Sequence, residues 1–146
     1  SRVGASLAIV GAGPAGVALA DFFSARGREV HVLEEGRDLA PELAHPRRWR
    51  LLHDLRERGV VFLANARVLE VGARGLRAQL REGRETREQE LPCDSVIFAG
   101  GWHADDALAR GLREAGLPRV EAIGDAARVG YLEGAIHSAF HAALGI

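Results

Sequence analysis

The sequence predicts an α/β fold of three layers, with a central parallel sheet, flanking helices and a β-meander crossover. Three observations support this prediction. Short apolar runs alternate with helical patterns over the first 64 residues. Shorter, roughly alternating segments separated by glycine and charge follow at 66–91 and predict a three-stranded antiparallel meander with one solvated face. The apolar run DSVIFAGG at 94–101 then returns the chain to the sheet.

The chain begins with a strand, a tight turn, a helix and a second strand. SLAIV at 6–10 is an apolar run near glycine, which is typical of a buried strand. Pro14 follows the turn in the first helical turn, where its missing N–H costs nothing, and Gly27 is expected to end the helix. EVHVLEE at 29–35 is the second strand. Strands joined in this way are parallel, with a right-handed crossover.

Helix and strand patterns continue through the rest of the chain. The helix predicted at 47–58 has an apolar stripe of Trp49, Leu51, Leu52 and Leu55. The later elements are predicted as strands at 60–64, 94–101 and 119–126 and helices at 105–116 and 131–145. The closing helix is expected to turn its apolar residues inward, namely Leu132, Ile136, Phe140, Ala143 and Leu144.

Composition limits the classes of function. The chain has 146 residues, 47% of them apolar and 27% charged, which predicts one globular domain. A net charge of -1 gives no basic excess for nucleic acid or an anionic membrane surface, and no apolar run is long enough to span a membrane. All 19 basic residues are Arg, so P-loop, Schiff-base and Tyr-x-x-x-Lys chemistry are excluded.

The ends and the cysteine content suggest a context. No signal peptide is visible, and the single cysteine, Cys93, favours a reducing, cytoplasmic compartment. The chain contains no Met, so it is expected to be either processed or a piece of a longer protein, and the immediate start of the first strand favours the piece.

The glycine-rich turn IVGAGPAG carries the clearest chemical signal. Gly11 allows a sharp turn out of the strand, Gly13 allows backbone to approach a pyrophosphate, and Gly16 permits close helix–strand packing. The first helical amides are unpaired and carry partial positive charge, so a diphosphate is the expected ligand. G-x-G-x-x-G is weak evidence alone, but here it joins a strand to a helix.

An acid at the end of the second strand supports the same interpretation. Glu34 lies 18 residues after Gly16, where a carboxylate accepts hydrogen bonds from a ribose 2′-hydroxyl and repels a 2′-phosphate. Arg37 is a possible 2′-phosphate ligand, but the neighbouring Glu34 and Glu35 argue against NADP. The remaining alternative is a glycine turn that no longer binds a nucleotide.

Together, IVGAGPAG, Glu34, DSVIFAGG and VEAIGDA resemble the two-dinucleotide-binding-domain flavoproteins, the pyridine nucleotide–disulfide-reductase-like superfamily. The resemblance implies a Rossmann-like domain that binds FAD or NAD(P)H. VIFAGG is similar to the family's A-T-G strand, with Gly100 in place of Thr, and AIGDA is similar to its G-D motif, with Gly124 and Asp125 facing the flavin ribityl or pyrophosphate.

The resemblance narrows to the C-terminal region of old-yellow-enzyme-like fusion flavoproteins, such as trimethylamine dehydrogenase, histamine dehydrogenase and dienoyl-CoA reductase. Three segments are similar in order and spacing: HPRRWRLLHDLRERGV, SVIFAGGWHADDALARGLREAG and VEAIGDAARVGYLEGAIHSAFHAALGI. The barrel and four-cysteine cluster signature of those flavoproteins are absent from this chain. A CxxC pair is also absent, which excludes disulfide-reductase chemistry by this chain's own residues.

Other residues give weaker signals. His137 and His141 are spaced like a metal-binding pair, but no third ligand is evident, and WHADD at 102–106 is interpreted as a helix start. Trp102 is a candidate to cover a nucleotide or another domain, and neither Cys93 nor Ser138 lies in a catalytic motif. No catalytic or metal-binding residue is predicted.

The sequence therefore predicts that residues 1–146 form a single dinucleotide-binding domain of a flavin-dependent oxidoreductase. FAD or NAD(H) is the expected cofactor, with ADP as the shared moiety, and the partner is another domain, another subunit or a second copy. The alternative is a non-catalytic nucleotide-holding or interaction module. The candidate cofactor-binding residues are Gly11, Ala12, Gly13, Pro14, Ala15, Gly16, Glu34, Glu35, Gly100, Gly124 and Asp125.

Overall fold

The computed structural model describes residues 3–145. The chain divides into two compact units, the first ending at Gly101 and the second beginning at Trp102. The first unit contains β1 (Ser6–Val10), α1 (Pro14–Ser24), β2 (Glu29–Glu34), α2 (His45–Glu57), β3 (Val61–Ala64), β4 (Ala66–Gly72), β5 (Gly75–Glu82), β6 (Glu85–Pro92) and β7 (Ser95–Phe98). The second contains α3 (Ala107–Glu114), a 3₁₀ turn (Gly124–Ala126) and α4 (Tyr131–Leu144).

The first unit is built on a four-stranded parallel sheet in the order β3-β2-β1-β7. β1 lies in the middle, and its last residue, Val10, pairs with Leu33 on one side and Phe98 on the other. The chain moves outward from β1 to β2 and β3, and it returns to the opposite side of β1 as β7. In open α/β sheets, such a reversal of strand order leaves a crevice beyond the carboxyl ends of the strands, where ligands bind.

The predicted meander is confirmed as a second, antiparallel sheet in the order β4-β5-β6, with a bulge between Val68 and Glu70. One face of β5 carries buried Leu76, Ala78 and Leu80. On the other face, Arg77 donates to Glu70 and Glu88 in the exposed layer. This alternation gives the meander one packed face and one solvated face.

The parallel sheet has a hydrophobic cluster on each face. Leu7 and Ile9 of β1 pack with helix residues that include Leu55, whereas Ala8, between them, packs with Leu76 and the rest of the meander cluster. Successive strand residues point to opposite faces, so β1 contributes to both clusters. The result confirms the predicted α/β, Rossmann-like fold with a central parallel sheet and a meander crossover.

Three predictions about individual elements are wrong. Residues 119–126 form no strand: within the described chain they pair with no sheet, and their last three residues form the 3₁₀ turn. Trp49 is 64% exposed rather than part of the α2 stripe, because Leu52 and Leu55 already fill the buried face. The inward-facing residues expected in α4 are also exposed, since no described residue of α3 or α4 is fully buried.

Between residues 3 and 145, the structure has no helix that combines the length and apolar character needed to cross a membrane.

Candidate dinucleotide-binding site

The glycine-rich turn lies directly after β1, at the carboxyl edge of the parallel sheet. Gly11 has φ +102°, a backbone conformation that L side chains rarely adopt. Its N–H donates to the Leu33 carbonyl oxygen at 2.8 Å, which ties the turn to β2. A Cβ atom on Gly11 would lie 2.9 Å from the amide nitrogen of Gly100, so the turn also lies against the end of β7.

Gly16 is required by packing rather than by backbone conformation. It is buried in the first turn of α1, and a Cβ atom there would overlap the carbonyl oxygen of Gly11. Only a glycine lets α1 start this close to the end of β1. The chain's own structure therefore accounts for the absence of a side chain at both Gly11 and Gly16.

Gly13 differs from both. It is the N-cap residue of α1, with φ -66° and ψ -176°, an extended conformation that any residue adopts. A Cβ atom built on it would meet no heavy atom within 4 Å. The protein's conformation and packing therefore do not require glycine at this position, and its missing side chain leaves open space over the turn.

The start of α1 faces this open space. No side chain caps the helix, and Pro14 occupies its first turn. The first intrahelical bond runs from the Val17 N–H to the Gly13 carbonyl oxygen at 3.0 Å. The amides of Ala15 and Gly16 precede this bond, so they have no partner within the helix. Amides in this position carry the positive end of the helix dipole. This arrangement is suited to a phosphate group.

Glu34, the last residue of β2, is bonded to the glycine turn. Its Oε2 atom accepts the Ala12 N–H at 2.7 Å, and its Oε1 atom accepts the Gly36 N–H at 2.9 Å. Ala12 itself is fully buried. The fold thus brings the predicted acid to the predicted turn, whereas its contact with a ribose stays a prediction.

Ala40 also contacts the turn, and sequence reasoning missed it. Its N–H donates to the Ala12 carbonyl oxygen at 2.8 Å, and its φ is +45° although it is not a glycine. Arg48 of α2 holds the same loop by donating from Nε to the Leu39 carbonyl oxygen at 2.7 Å. Both contacts go to backbone, so no residue pattern in the loop indicates them.

Glu35 and Arg37, which follow the acid, are exposed. Glu35 lies 3.7 Å from Arg67 in an exposed ion pair, a kind of contact that contributes little to stability. Within residues 3–145, neither side chain is hydrogen-bonded to the glycine turn. Glu34 is therefore the acid of this pair that the fold directs to Ala12.

Gly100 lies at the end of β7, beside the turn. Ala99 donates its N–H to the Val10 carbonyl oxygen at 2.8 Å, which extends the β1–β7 ladder past the strand ends. A Cβ atom on Gly100 would lie 3.5 Å from the Gly11 Cα, an ordinary contact distance. The first unit thus brings Gly11, Gly13, Glu34 and Gly100 to one edge of the sheet.

Gly124 and Asp125 belong to the second unit, where both make internal bonds. Gly124 has φ +60° and donates its N–H to Ser138 Oγ at 2.8 Å. The Oδ1 atom of Asp125 accepts the Gly130 N–H at 3.0 Å and so closes the loop before α4. The role of Ser138 was missed, because a hydroxyl that reaches a backbone amide 14 residues away leaves no local sequence signal.

Cys93, His137 and His141 are side chains that the sequence singled out without predicting a catalytic or metal-binding role. Burial raises the pKa of the Cys93 thiol, which disfavours the thiolate. Across residues 3–145, no group of three or more His, Cys, Asp or Glu side chains is arranged to hold a metal ion. His137 and His141 both lie exposed on α4.

The comparisons with known proteins decide the family. The family model described as pyridine nucleotide-disulphide oxidoreductase matches residues 1–131. This chain belongs to that family. The match confirms the resemblance drawn from the glycine turn and strand motifs, and it identifies the chain as a dinucleotide-binding domain of the flavin oxidoreductase type. No curated protein sequence matches the chain.

Solved structures agree on the fold. A 2-naphthoyl-CoA reductase in complex with 2-naphthoyl-CoA is 25% identical with a TM-score of 0.80, over 100% of this chain and 22% of that one. Histamine dehydrogenase from Rhizobium sp. 4-9 is 18% identical with a TM-score of 0.74, over 97% of this chain and 23% of its own. A pyridine nucleotide-disulfide family oxidoreductase from Enterococcus faecalis V583 is 33% identical with a TM-score of 0.52, over 68% of this chain and 23% of that one.

The chain therefore spans less than a quarter of the length of these three proteins. Two of them are matched over nearly the whole of this chain, whereas the third is matched over about two thirds of it. The fold of both units thus occurs within longer protein chains.

Proposed function

We propose that this domain binds the ADP moiety of FAD or NAD(H) across Gly11–Gly16, with Glu34 on the adenosine ribose. The observation that carries the proposal is the open space at Gly13, where no heavy atom lies within 4 Å of a built Cβ. A glycine that the fold itself does not require is explained if backbone there approaches a ligand closely.

The electrostatics of the turn support a pyrophosphate as that ligand. The start of α1 has no side-chain cap, so the partial positive charge of the helix end remains available to an anion. The reversal of strand order around β1 supports this location, because ligands of open α/β sheets bind beyond the carboxyl ends of the strands at such a reversal. Glu34 then favours a cofactor without a 2′-phosphate, because two like charges at this position repel.

In this proposal, residues 1–146 act as one binding domain that orients a cofactor. The bound flavin or nicotinamide supplies hydride transfer. The turn amides hold the pyrophosphate, Glu34 and Glu35 form the acidic side of the ribose site, and Gly100 keeps the sheet edge free of side chains. Gly124 and Asp125 are the residues proposed to face the pyrophosphate or ribityl group of FAD. A reducing, cytoplasmic compartment is part of the proposal, since the chain has one cysteine.

The partner proposed for the domain is another domain, another subunit or a second copy. Four residues of α4 form an apolar ridge at four-residue spacing: Leu132, Ile136, Phe140 and Leu144 are 81%, 64%, 60% and 69% exposed. Such a stripe on a helix normally packs against another surface. In the part of the second unit that the structure describes, only Gly124 is buried.

The same ridge favours a second candidate function, a non-catalytic module that holds a nucleotide and docks on a flavoenzyme partner. The two candidates differ in what the purified chain carries. A yellow chain with flavin absorbance supports the cofactor-binding oxidoreductase domain. A colourless chain whose melting temperature rises with ADP supports the non-catalytic module.

The binding site is tested with Gly13→Val and a matched control, Gly72→Val. Both glycines have open space at the Cβ position and no positive φ, so both variants are expected to keep the fold. Titration calorimetry with ADP should show a loss of about tenfold to a hundredfold in affinity for Gly13→Val alone, since lost hydrogen bonds to a charged group have this effect. Equal ADP affinity in the two variants would contradict the site.

A further inference from the structure

Two hydrogen bonds hold the backbone of Ala12, the residue at the centre of the glycine-rich turn. Glu34 Oε2 accepts the Ala12 N–H at 2.7 Å, and the Ala40 N–H donates to the Ala12 carbonyl oxygen at 2.8 Å. Ala12 is fully buried, and both of its polar backbone groups are bonded. Its N–H is bonded to Glu34, the last residue of β2, and its carbonyl oxygen is bonded to Ala40, which follows β2.

These two bonds fix two consecutive peptide planes. The Ala12 N–H belongs to the plane shared with Gly11, and the Ala12 carbonyl belongs to the plane shared with Gly13. Because a peptide unit is planar and trans, the direction of the Ala12 carbonyl also sets the direction of the Gly13 N–H. That amide belongs to the residue with open space at its Cβ position.

We infer that Glu34 is a positioning residue for the phosphate-binding turn, in addition to the ribose contact proposed above. Its Oε2 atom holds the Gly11–Ala12 peptide plane before a ligand arrives. Its Oε1 atom accepts the Gly36 N–H at 2.9 Å, which holds the carboxylate in place. A turn ordered in advance avoids the entropy cost of ordering on binding. The phosphate-binding part of this inference rests on the proposed function, whereas the ordering of the turn does not.

Two substitutions separate this role from ribose recognition. Glu34→Gln keeps one acceptor oxygen, so either Ala12 or Gly36 loses its partner, and Glu34→Met keeps the length of the side chain but leaves both amides without a carboxylate. The matched controls are Glu85→Gln and Glu85→Met, because Glu85 is an exposed residue at the start of β6. Circular dichroism and melting curves establish which variants fold. If Glu34→Met does not fold, the measurements are made on Glu34→Gln.

The first measurement is hydrogen exchange of the Ala12 and Gly36 amides in the ligand-free protein. Exchange of both should accelerate by about tenfold or more in Glu34→Met, and exchange of at least one should do so in Glu34→Gln, while neither control differs from wild type. If the Ala12 and Gly36 amides of the folded Glu34 variants exchange at the wild-type rate, the inference is overturned.

The second measurement is the affinity for inorganic pyrophosphate, which has no ribose. Loss of a negative charge at Glu34 would by itself strengthen the binding of this anion. A positioning role predicts the opposite, a weakening of about tenfold in Glu34→Met. Unchanged or stronger binding would overturn the positioning role while the ribose contact stands. If wild-type protein binds neither pyrophosphate nor ADP, the proposed function fails, and the exchange of the Ala12 amide alone decides the inference.

Discussion

The carbonyl oxygen of Gly11 occupies the space that a Cβ atom on Gly16 would need. The first and third glycines of the turn are thus coupled by packing, and α1 starts only as close to β1 as this contact allows. The middle glycine, Gly13, takes no part in the contact. Substitutions at Gly16 and Gly13 are therefore expected to affect different properties of the protein.

Gly16→Ala is expected to destabilise the fold. Its methyl group would overlap backbone, which cannot move as easily as the end of a side chain, so the free energy of unfolding should fall by about 1–3 kcal/mol or more. Urea unfolding followed by circular dichroism measures the change. Gly111→Ala is a control within a helix, because Gly111 of α3 has nothing within 4 Å of its Cβ position. A Gly16→Ala variant as stable as wild type would show that the turn and α1 separate easily.

Discrimination against a 2′-phosphate is expected to depend on Glu34. If its carboxylate lies beside the adenosine ribose, ADP should bind about tenfold or more tightly than its 2′-phosphorylated analogue, because of repulsion between like charges. Calorimetry on Glu34→Gln should show a smaller ratio between the two affinities, even though both affinities fall. Glu85→Gln removes an equal charge at an exposed position outside the turn and should keep the wild-type ratio. A ratio that is the same in all three proteins would argue against the ribose assignment.

Local patterns in the sequence predicted the helices and strands of the first unit. The strand–turn–helix around Gly11 and the acid at Glu34 follow from short-range rules for glycine and for parallel strands, and the alternation in β5 follows from the pleat of a strand. The bonds of Ala40 and Ser138 could not be predicted, since each joins a side chain or an amide to backbone far away in sequence.

The second unit was predicted less well for a related physical reason. VEAI before Gly124 has the composition of a strand, yet a strand forms only where a neighbour offers backbone hydrogen bonds, and none of the described strands does so. The apolar stripe of α4 is the pattern of a buried face, yet its residues are exposed in the structure. The pattern alone does not say which surface covers Ile136 and its neighbours.

Within α2, stability should depend on Leu55 and not on Trp49. Leu55 is fully buried in the hydrophobic cluster that also contains Leu7 and Ile9 of β1. Trp49 is 64% exposed and stacks on His53. Leu55→Ala should therefore lower the free energy of unfolding by about 2–5 kcal/mol, and Trp49→Ala by less than about 1 kcal/mol. Urea unfolding of the two variants measures both changes. Comparable losses of unfolding free energy in the two variants would mean that Trp49 is packed against another surface and is not exposed.

Cys93 is expected to react slowly with thiol reagents. Burial raises the pKa of its thiol, so less thiolate is present at neutral pH than in a free cysteine, and the thiolate is the reactive form. The rate of reaction with a disulfide reagent should be well below that of free cysteine at pH 7 and should keep rising with pH above about 8.5. Free cysteine under the same conditions, and the protein unfolded in urea, are the references. A plateau in the rate below that pH would show a thiolate stabilised by its surroundings.

Asp94 should make the stability of the protein depend on pH in the acidic range. Its carboxylate accepts the Ser6 N–H at 2.9 Å, and bonds from the Ser6 backbone and hydroxyl lower the pKa of Asp94 below its ordinary value. A lowered pKa in the folded state means that the unfolded state binds more protons, so the contribution is complete above a pH of about 4, the ordinary pKa of Asp, and is lost as pH falls through the folded-state pKa. Melting temperatures of wild type and Asp94→Asn should therefore differ most at neutral pH and converge as pH falls through the folded-state pKa of Asp94. A constant gap between wild type and Asp94→Asn from neutral to acidic pH would mean that the Ser6 contacts do not depend on the charge of Asp94.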